Sequence, residues 1–253
     1  MMASRWGFEA AMVTLFKENK FEKQFYDLDK QIGEAEYKKR YYIPTIEGKV
    51  NLVTDSGIDD KVRAEALALL RNEIESELRI IGMDKFPEFN QLSGQLSPEI
   101  KEKTERFLAT LKSMYSNRYN SAMKEKEKLV SEMLSTDEGK VRYFELQEKY
   151  ANEAIEDIVT GKLGTDRIQE VNNRLVQKNN LIYKSPNPTH ALDFQEQFFT
   201  PTKHFLGFTF DTFYFNIAFI WFYCVLFMIT LYFDVLKKSL RILGKINPFG
   251  AKR

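Results

Sequence analysis

Cysteine is nearly missing from this chain: one residue, Cys224, in 253. An intramolecular disulfide is therefore excluded, and with it the stapled scaffold of small secreted domains. Histidine is almost as scarce, and His190 and His204 stand too isolated to suggest a metal centre. Charge of one sign is not in excess either. Lys and Arg number 37 against 36 Asp and Glu, a net charge of +1, so no broad basic face for nucleic acid is implied. No GxxxxGK[ST] spacing occurs, and Gly161-Lys162-Leu163-Gly164 reads as a turn. No nucleophile stands in pattern with a base. The acid pairs Asp59/Asp60 and Glu156/Asp157 read as helix caps and helix surface. The sequon Asn187-Pro188-Thr189 is blocked by its proline, and no internal repeat is found. The opening MMASRWGFEAAM lacks the apolar run of a signal peptide.

What is present is one long uncharged run, Phe213 to Phe233, with Trp221 near its middle and only Asn216 and Thr230 as clearly polar side chains. At about 1.5 Å per residue, roughly 21 helical residues reach about 31 Å, the thickness of a bilayer's hydrocarbon core. The run predicts a membrane span. Beyond it lie Lys237, Lys238, Arg241, Lys245, Lys252 and Arg253 against one acid, Asp234; before it, Lys203 is the one nearby cation in an aromatic approach of Phe205, Phe208 and Phe210. This asymmetry sets the C-terminus in the cytoplasm and everything before Asp211 outside. A chain without a signal peptide has no evident means of exporting that bulk. Either it is a tail-anchored cytosolic protein, or membrane helices precede this sequence in a longer protein; we adopt the second reading.

The remainder reads as helices. Ser4 to about Lys17 has Trp6, Ala10, Val13 and Phe16 at helical spacing, with Arg5 and Glu9 four apart, either a plain surface ion pair or a pair held near a membrane interface. Phe21 to Tyr42 predicts a second helix, interrupted near Gly33 and ended by Ile43-Pro44, followed by a loop around Gly48 to Gly57. Asp59 or Asp60 starts a helix with Val62, Ala66, Leu70, Ile74, Leu78 and Ile81 on one stripe, closed by Gly82. Lys85 to Leu96 reads as loop. Ser97-Pro98-Glu99 is a strong helix start, running to about Leu134 along Ile100, Phe107, Leu111, Tyr115, Ala122, Leu129 and Met133. The charge run Lys124 to Lys128 reads as a solvated face. A helix over about Lys140 to Val159 would complete a long antiparallel hairpin. Thr165 or Asp166 starts a short helix through Ile168, Val171 and Leu175; Ser185 to His190 is a proline-kinked connector, and Asp211 caps the span. The expected fold is all-α: a helical domain with a long helical hairpin, plus one C-terminal transmembrane helix.

Two stretches carry a family resemblance. SRWGFEAAMVTLFKENKFE, Ser4 to Glu22, resembles the aromatic-rich S-R-[WY]-x-[FY]-E-A-L segment that follows the fifth membrane helix of G-type (white-like) ABC transporters. Lys203 to Lys238 resembles their sixth and last membrane helix. The charged insert between them, including Leu175 to Phe194, is similar to the large external domain of a bacterial branch with ATPase and membrane parts in one chain. The resemblance implies a re-entrant helix over 1–20, an extracytoplasmic domain over 21–205, the last membrane helix over 206–236 and a basic cytoplasmic tail over 237–253. It also implies the inner (plasma) membrane, a dimer, and an often lipophilic substrate. ATP and Mg²⁺ would bind an ATPase domain absent from this chain; no cofactor is expected within it. Asn216 becomes a candidate interhelical hydrogen-bonding residue, or else a group close enough to the interface to reach water. Eukaryotic relatives usually carry cysteines in the external loop, and this loop has none. The alternative is a helical scaffold tethered by one helix, without transport activity.

Overall fold

A computed structural model describes residues 3–94, 96–162, 164–188, 190, 193, 197–234 and 241. The chain is mainly helical, as its periodicity predicts. The helices are α1 (Ala3–Lys17), α2 (Tyr26–Tyr37), α3 (Ile43–Thr54), α4 (Asp60–Ile81), α5 (Pro98–Met133), α6 (Asp137–Tyr150), α7 (Glu153–Thr160) and α8 (Thr212–Tyr232). Two antiparallel hairpins, β1 (Ile168–Val171) with β2 (Arg174–Gln177) and β3 (Thr202–Phe205) with β4 (Phe208–Asp211), complete the described elements.

Two apolar cores organise the molecule. The larger lies between α2, α3, α4 and α5, where Ile43, Ile46, Leu70, Ile74, Leu78 and Leu108 are sealed from solvent. The smaller joins α1 to α7 through Met12, Val13, Phe16, Val159 and Ile182. Helix starts follow the sequence signals: Asp59 accepts from Lys61 N, Ser97 from Ile100 N, and Asp211 from Phe213 N, each quenching an otherwise unpaired first-turn amide. Gly82, at φ 111°, ends α4. The segment after it holds two short 3₁₀ turns, Met83–Lys85 and Pro87–Gln91.

Five sequence expectations are corrected. Gly33 does not break α2; a Cβ there would stand 3.0 Å from the Tyr183 ring, so glycine marks a close packing contact. Nor does Ile43-Pro44 end the helical path. Lys38–Tyr42 widen into one π turn, Ile43 N–H bonds the Lys38 carbonyl five residues back, and Pro44 sits in the first turn of α3, where no N–H is required. The expected loop over Gly48 to Gly57 is therefore mostly helix, held by the buried stripe Ile43, Ile46, Val50 and Val53. The helix expected over Lys140 to Val159 is two, separated where Asn152 turns out to cap α7 by accepting from Ile155 N at 3.1 Å. A tight turn capped at Thr136 joins α5 to the shorter α6, whose Tyr143 packs on Phe21 and Phe25.

The fifth correction is the largest. The expected helix through Ile168, Val171 and Leu175 is the β1–β2 hairpin, whose turn residues Asn172 and Asn173 take φ of 51° and 56°. Asparagine tolerates that left-handed region, and a two-residue turn of this kind matches the strand twist. The hairpin docks through polar contacts: Leu175 N donates to Glu73 Oε1 at 2.7 Å, Asn72 Nδ2 to Asn173 O at 3.0 Å, and Lys49 pairs with Glu170. Within the larger core, Glu77 is met by Tyr115 Oη at 2.6 Å and by Lys38, whose ammonium also lies over the Tyr42 ring. Charges from the run on α5 remain largely exposed, except that Lys126 reaches Asp29 on α2.

Burial raises the Glu73 carboxyl above its ordinary range, the Leu175 amide only partly opposing it. A carboxyl raised in the folded state holds its proton there after the unfolded chain has lost it. Stability therefore falls as pH rises from the ordinary carboxylate value through the raised one, and stays lower at neutral pH. Glu73→Gln, which retains an acceptor for Leu175 N, is expected to flatten that fall and raise the neutral-pH stability of the chain in nanodiscs, measured by circular dichroism melts between pH 4 and 8.

Candidate functional site

Helix α8 is apolar on all sides and long enough to cross a membrane. Thr212 and Asn216 are its only buried residues, whereas Trp221 and Phe233 are exposed and Phe213 is half-buried. Beside its first turns the chain encloses two opposite charges.

Helix α1 runs antiparallel to α8. Trp6 packs edge-on to Phe219 at 5.5 Å and tilted to Tyr223 at 5.3 Å, Gly7 lies close to Ile220, and Lys17 Nζ reaches Asp211 Oδ2 at 2.8 Å. Between these contacts stands Glu9, only 3% exposed although it lies on the apolar stripe of α1. Its Oε1 accepts from Lys203 Nζ at 2.6 Å and from Phe199 N at 2.8 Å; its Oε2 accepts from Asn216 Nδ2 at 2.9 Å. The Lys203 ammonium, 5% exposed, uses its other hydrogens on Gln197 O at 2.6 Å and Thr200 Oγ1 at 3.1 Å. Asn216 gives its remaining amide hydrogen to Trp6 O at 3.2 Å. Each donor hydrogen on Lys203 and Asn216 therefore has an acceptor, which is what makes a buried ion pair tolerable.

The local chain is shaped for this contact. Phe199 adopts φ 68°, a conformation aromatic residues rarely take, and this turns its N–H toward Glu9. Thr212 Oγ1 donates to Thr200 O and Thr212 N to Pro201 O, locking the start of α8 to the residues preceding β3. Asp211 serves both helices, capping α8 through Oδ1 while its Oδ2 holds the last residue of α1.

Asn216 and Glu9 are thus brought together, but Arg5 and Glu9 are not a pair. Arg5 lies over the Phe198 ring, 4.8 Å from its centre, and Glu9 has Lys203 as its cation. The expected i, i+4 contact loses because a buried carboxylate gains more from an equally buried ammonium than from an exposed guanidinium. Sequence reasoning missed Lys203 and Lys17. Lys203 was legible only as a flanking charge, since nothing local to T-K-H-F announces a partner 194 residues away. Lys237 and Lys238 lie outside the described residues, and Arg241 is exposed.

His204 is buried with Nδ1 against Asp193 O, and among the described residues no group of three or more His, Cys, Asp or Glu is placed to hold a metal ion. Two surface clefts, about 190 Å³ beside Lys49 and Asn173 and about 380 Å³ beside Phe86 and Phe107, gather no comparable chemistry. The Glu9–Lys203–Asn216 junction is a clamp between two helices and a hairpin.

Lys203→Met is expected to destabilise the chain by about 3–5 kcal/mol, because it strands the Glu9 carboxylate. The double variant Glu9→Gln/Lys203→Met should lose less than the sum of the two single losses. Asn216→Leu should lose about 1–3 kcal/mol, because it leaves Glu9 Oε2 without its donor. Denaturant unfolding in lipid nanodiscs measures all of these. Compared with known proteins, the chain matches no family model, no curated protein and no solved structure.

Proposed function

We propose that this chain is the extracytoplasmic domain and last membrane helix of a G-type ABC transporter subunit, which moves a substrate, often lipophilic in such proteins, using ATP hydrolysed by a domain outside this chain. One observation carries the reading. The two stretches that resemble the family, Ser4 to Glu22 and Lys203 to Lys238, are the two that meet at the Glu9–Lys203–Asn216 junction. An α1 lying antiparallel along the upper part of α8, with Trp6 beside Tyr223, fits a re-entrant segment packed on the final helix. The proposed orientation, with the bulk outside and the C-terminus cytoplasmic, draws support from charge. Both lysines beside the start of α8, Lys17 and Lys203, are already paired with acids, whereas Lys237, Lys238 and Arg241 follow its end with only Asp234 among them. The lipid bilayer, the rest of the transporter and a second subunit are the partners this reading implies.

A tethered scaffold without transport activity is the second reading. It is favoured by the larger core, which α2 to α5 close without any contribution from α8. Protein recovered from native membranes with an antibody against α5 separates the two. The transporter reading expects a species far heavier than the 29.7 kDa of this chain that is photolabelled by an azido-ATP analogue. A 29.7 kDa species that takes no label supports the scaffold. Orientation is read independently in intact cells, in a Cys224→Ala background, by a membrane-impermeant maleimide. Lys128→Cys is expected to label and Lys252→Cys is not; the reverse pattern refutes the proposed topology.

A further inference from the structure

We propose that the β3–β4 hairpin is a lipid-contacting wedge whose tip, Phe205-Leu206-Gly207-Phe208, sits in the outer interfacial zone of the bilayer against the first turns of α8. The proposal rests on the reading that α8 crosses a membrane.

The molecule supplies its own control. Both hairpins turn through two residues with positive φ, 51° and 56° at Asn172 and Asn173, 50° and 85° at Leu206 and Gly207. Asparagine and glycine suit that geometry; leucine, with a branched side chain and no local hydrogen bond to offer, does not. At the β1–β2 turn the chain follows the rule, among Glu170 and Arg174. At the β3–β4 turn it accepts a strained leucine that is 55% exposed, next to Phe208 at 68%. Leu206 and Phe208 together present an exposed apolar tip, which lipid covers at less cost than water.

Register and reach agree. Cross-strand partners share a face, so Lys203 with Phe210 and Phe205 with Phe208 lie on one side of the hairpin. At the base of that side Lys203 enters the buried junction with Glu9; toward the tip, phenylalanines take over. Phe205 meets Phe215 at 5.8 Å and Phe219 at 6.0 Å, so the hairpin folds back along α8 rather than away from it. Four strand residues at about 3.3 Å each reach about 13 Å below Asp211. Tyr214, 73% exposed in the first turn of α8, extends this aromatic surface onto the helix, giving the composition of a membrane-interface belt. The two-stranded sheet leaves open edges whose N–H and C=O groups require water, which keeps the backbone at headgroup depth while the rings reach the upper acyl chains.

Nitroxide labels at Leu206→Cys and Phe208→Cys, each in a Cys224→Ala background and reconstituted in phosphatidylcholine nanodiscs, test the placement by power saturation with oxygen and a water-soluble nickel chelate. Met228→Cys reports the span and Asn172→Cys the water-facing hairpin. The oxygen-to-nickel accessibility ratio at positions 206 and 208 is expected several-fold above that at 172, with a depth shallower than that of 228. A ratio like that of 172, while 228 keeps its lipid signature, places the tip in water and overturns the proposal. Low accessibility to both agents means that protein covers the tip, which overturns it equally. A nickel-accessible 228 removes the membrane span itself, and the wedge with it.

Discussion

A carboxylate shut away from water has to be answered by donors that cannot leave. Glu9 is answered from three directions at once: the ammonium of Lys203 on β3, the amide of Asn216 on α8 and the backbone N–H of Phe199. Because each donor belongs to a different segment, satisfying one side chain fixes the mutual placement of α1, the turn before β3 and α8. The alternatives are costly in proportion to their dryness, since the low dielectric that strengthens the pair also penalises any member left alone. The geometry of the junction follows from that single requirement.

The rest of the chain can be ordered by its distance from this contact. The smaller core relays α1 to α7 through Val13, Phe16 and Val159, and Tyr26 Oη donates to Ile182 O to tie α2 into the same cluster. Beyond it the larger core closes on Ile43, Leu70, Ile74 and Leu108 without help from α8. An apolar helix that packs mainly on α1 is thus joined to a self-contained domain, and a few well-satisfied polar groups fix that packing. On the transporter reading, such a joint would transmit movement of the last membrane helix to the external domain as a rigid body, because ion pairs of this kind hold one register rather than a range.

Legibility in the sequence followed the range of the interactions. Helices whose signals are local, such as the Ser97-Pro98-Glu99 start and the Asp211 cap, are where the residues put them. Punctuation misled where packing overruled it. Gly33 serves the Tyr183 ring rather than a break, and Pro44 continues a helical path because it falls where an N–H is dispensable. The β1–β2 hairpin was missed because Ile168, Val171 and Leu175 fit helical spacing, while the decisive feature, two adjacent asparagines suited to a left-handed turn, is only two residues long. At the junction, Asn216 was visible as a polar residue on an apolar helix, and Glu9 only as the i+4 neighbour of Arg5. Lys203 was visible as a flanking charge. That the three belong together is a property of the fold, since nothing local to any of them specifies a partner some two hundred positions off.

The amide hydrogen of Phe199 reads the central contact directly. It sits in a turn outside any regular element, and Glu9 Oε1 is its acceptor at 2.8 Å. Residue-resolved hydrogen–deuterium exchange on the chain in lipid nanodiscs is expected to show this amide exchanging as slowly as those of Ile46 and Val50 in the larger core. Exchange at the rate of an open loop, with the core amides still protected, would mean that Glu9 does not hold the turn, and the clamp between α1, β3 and α8 would not exist as described.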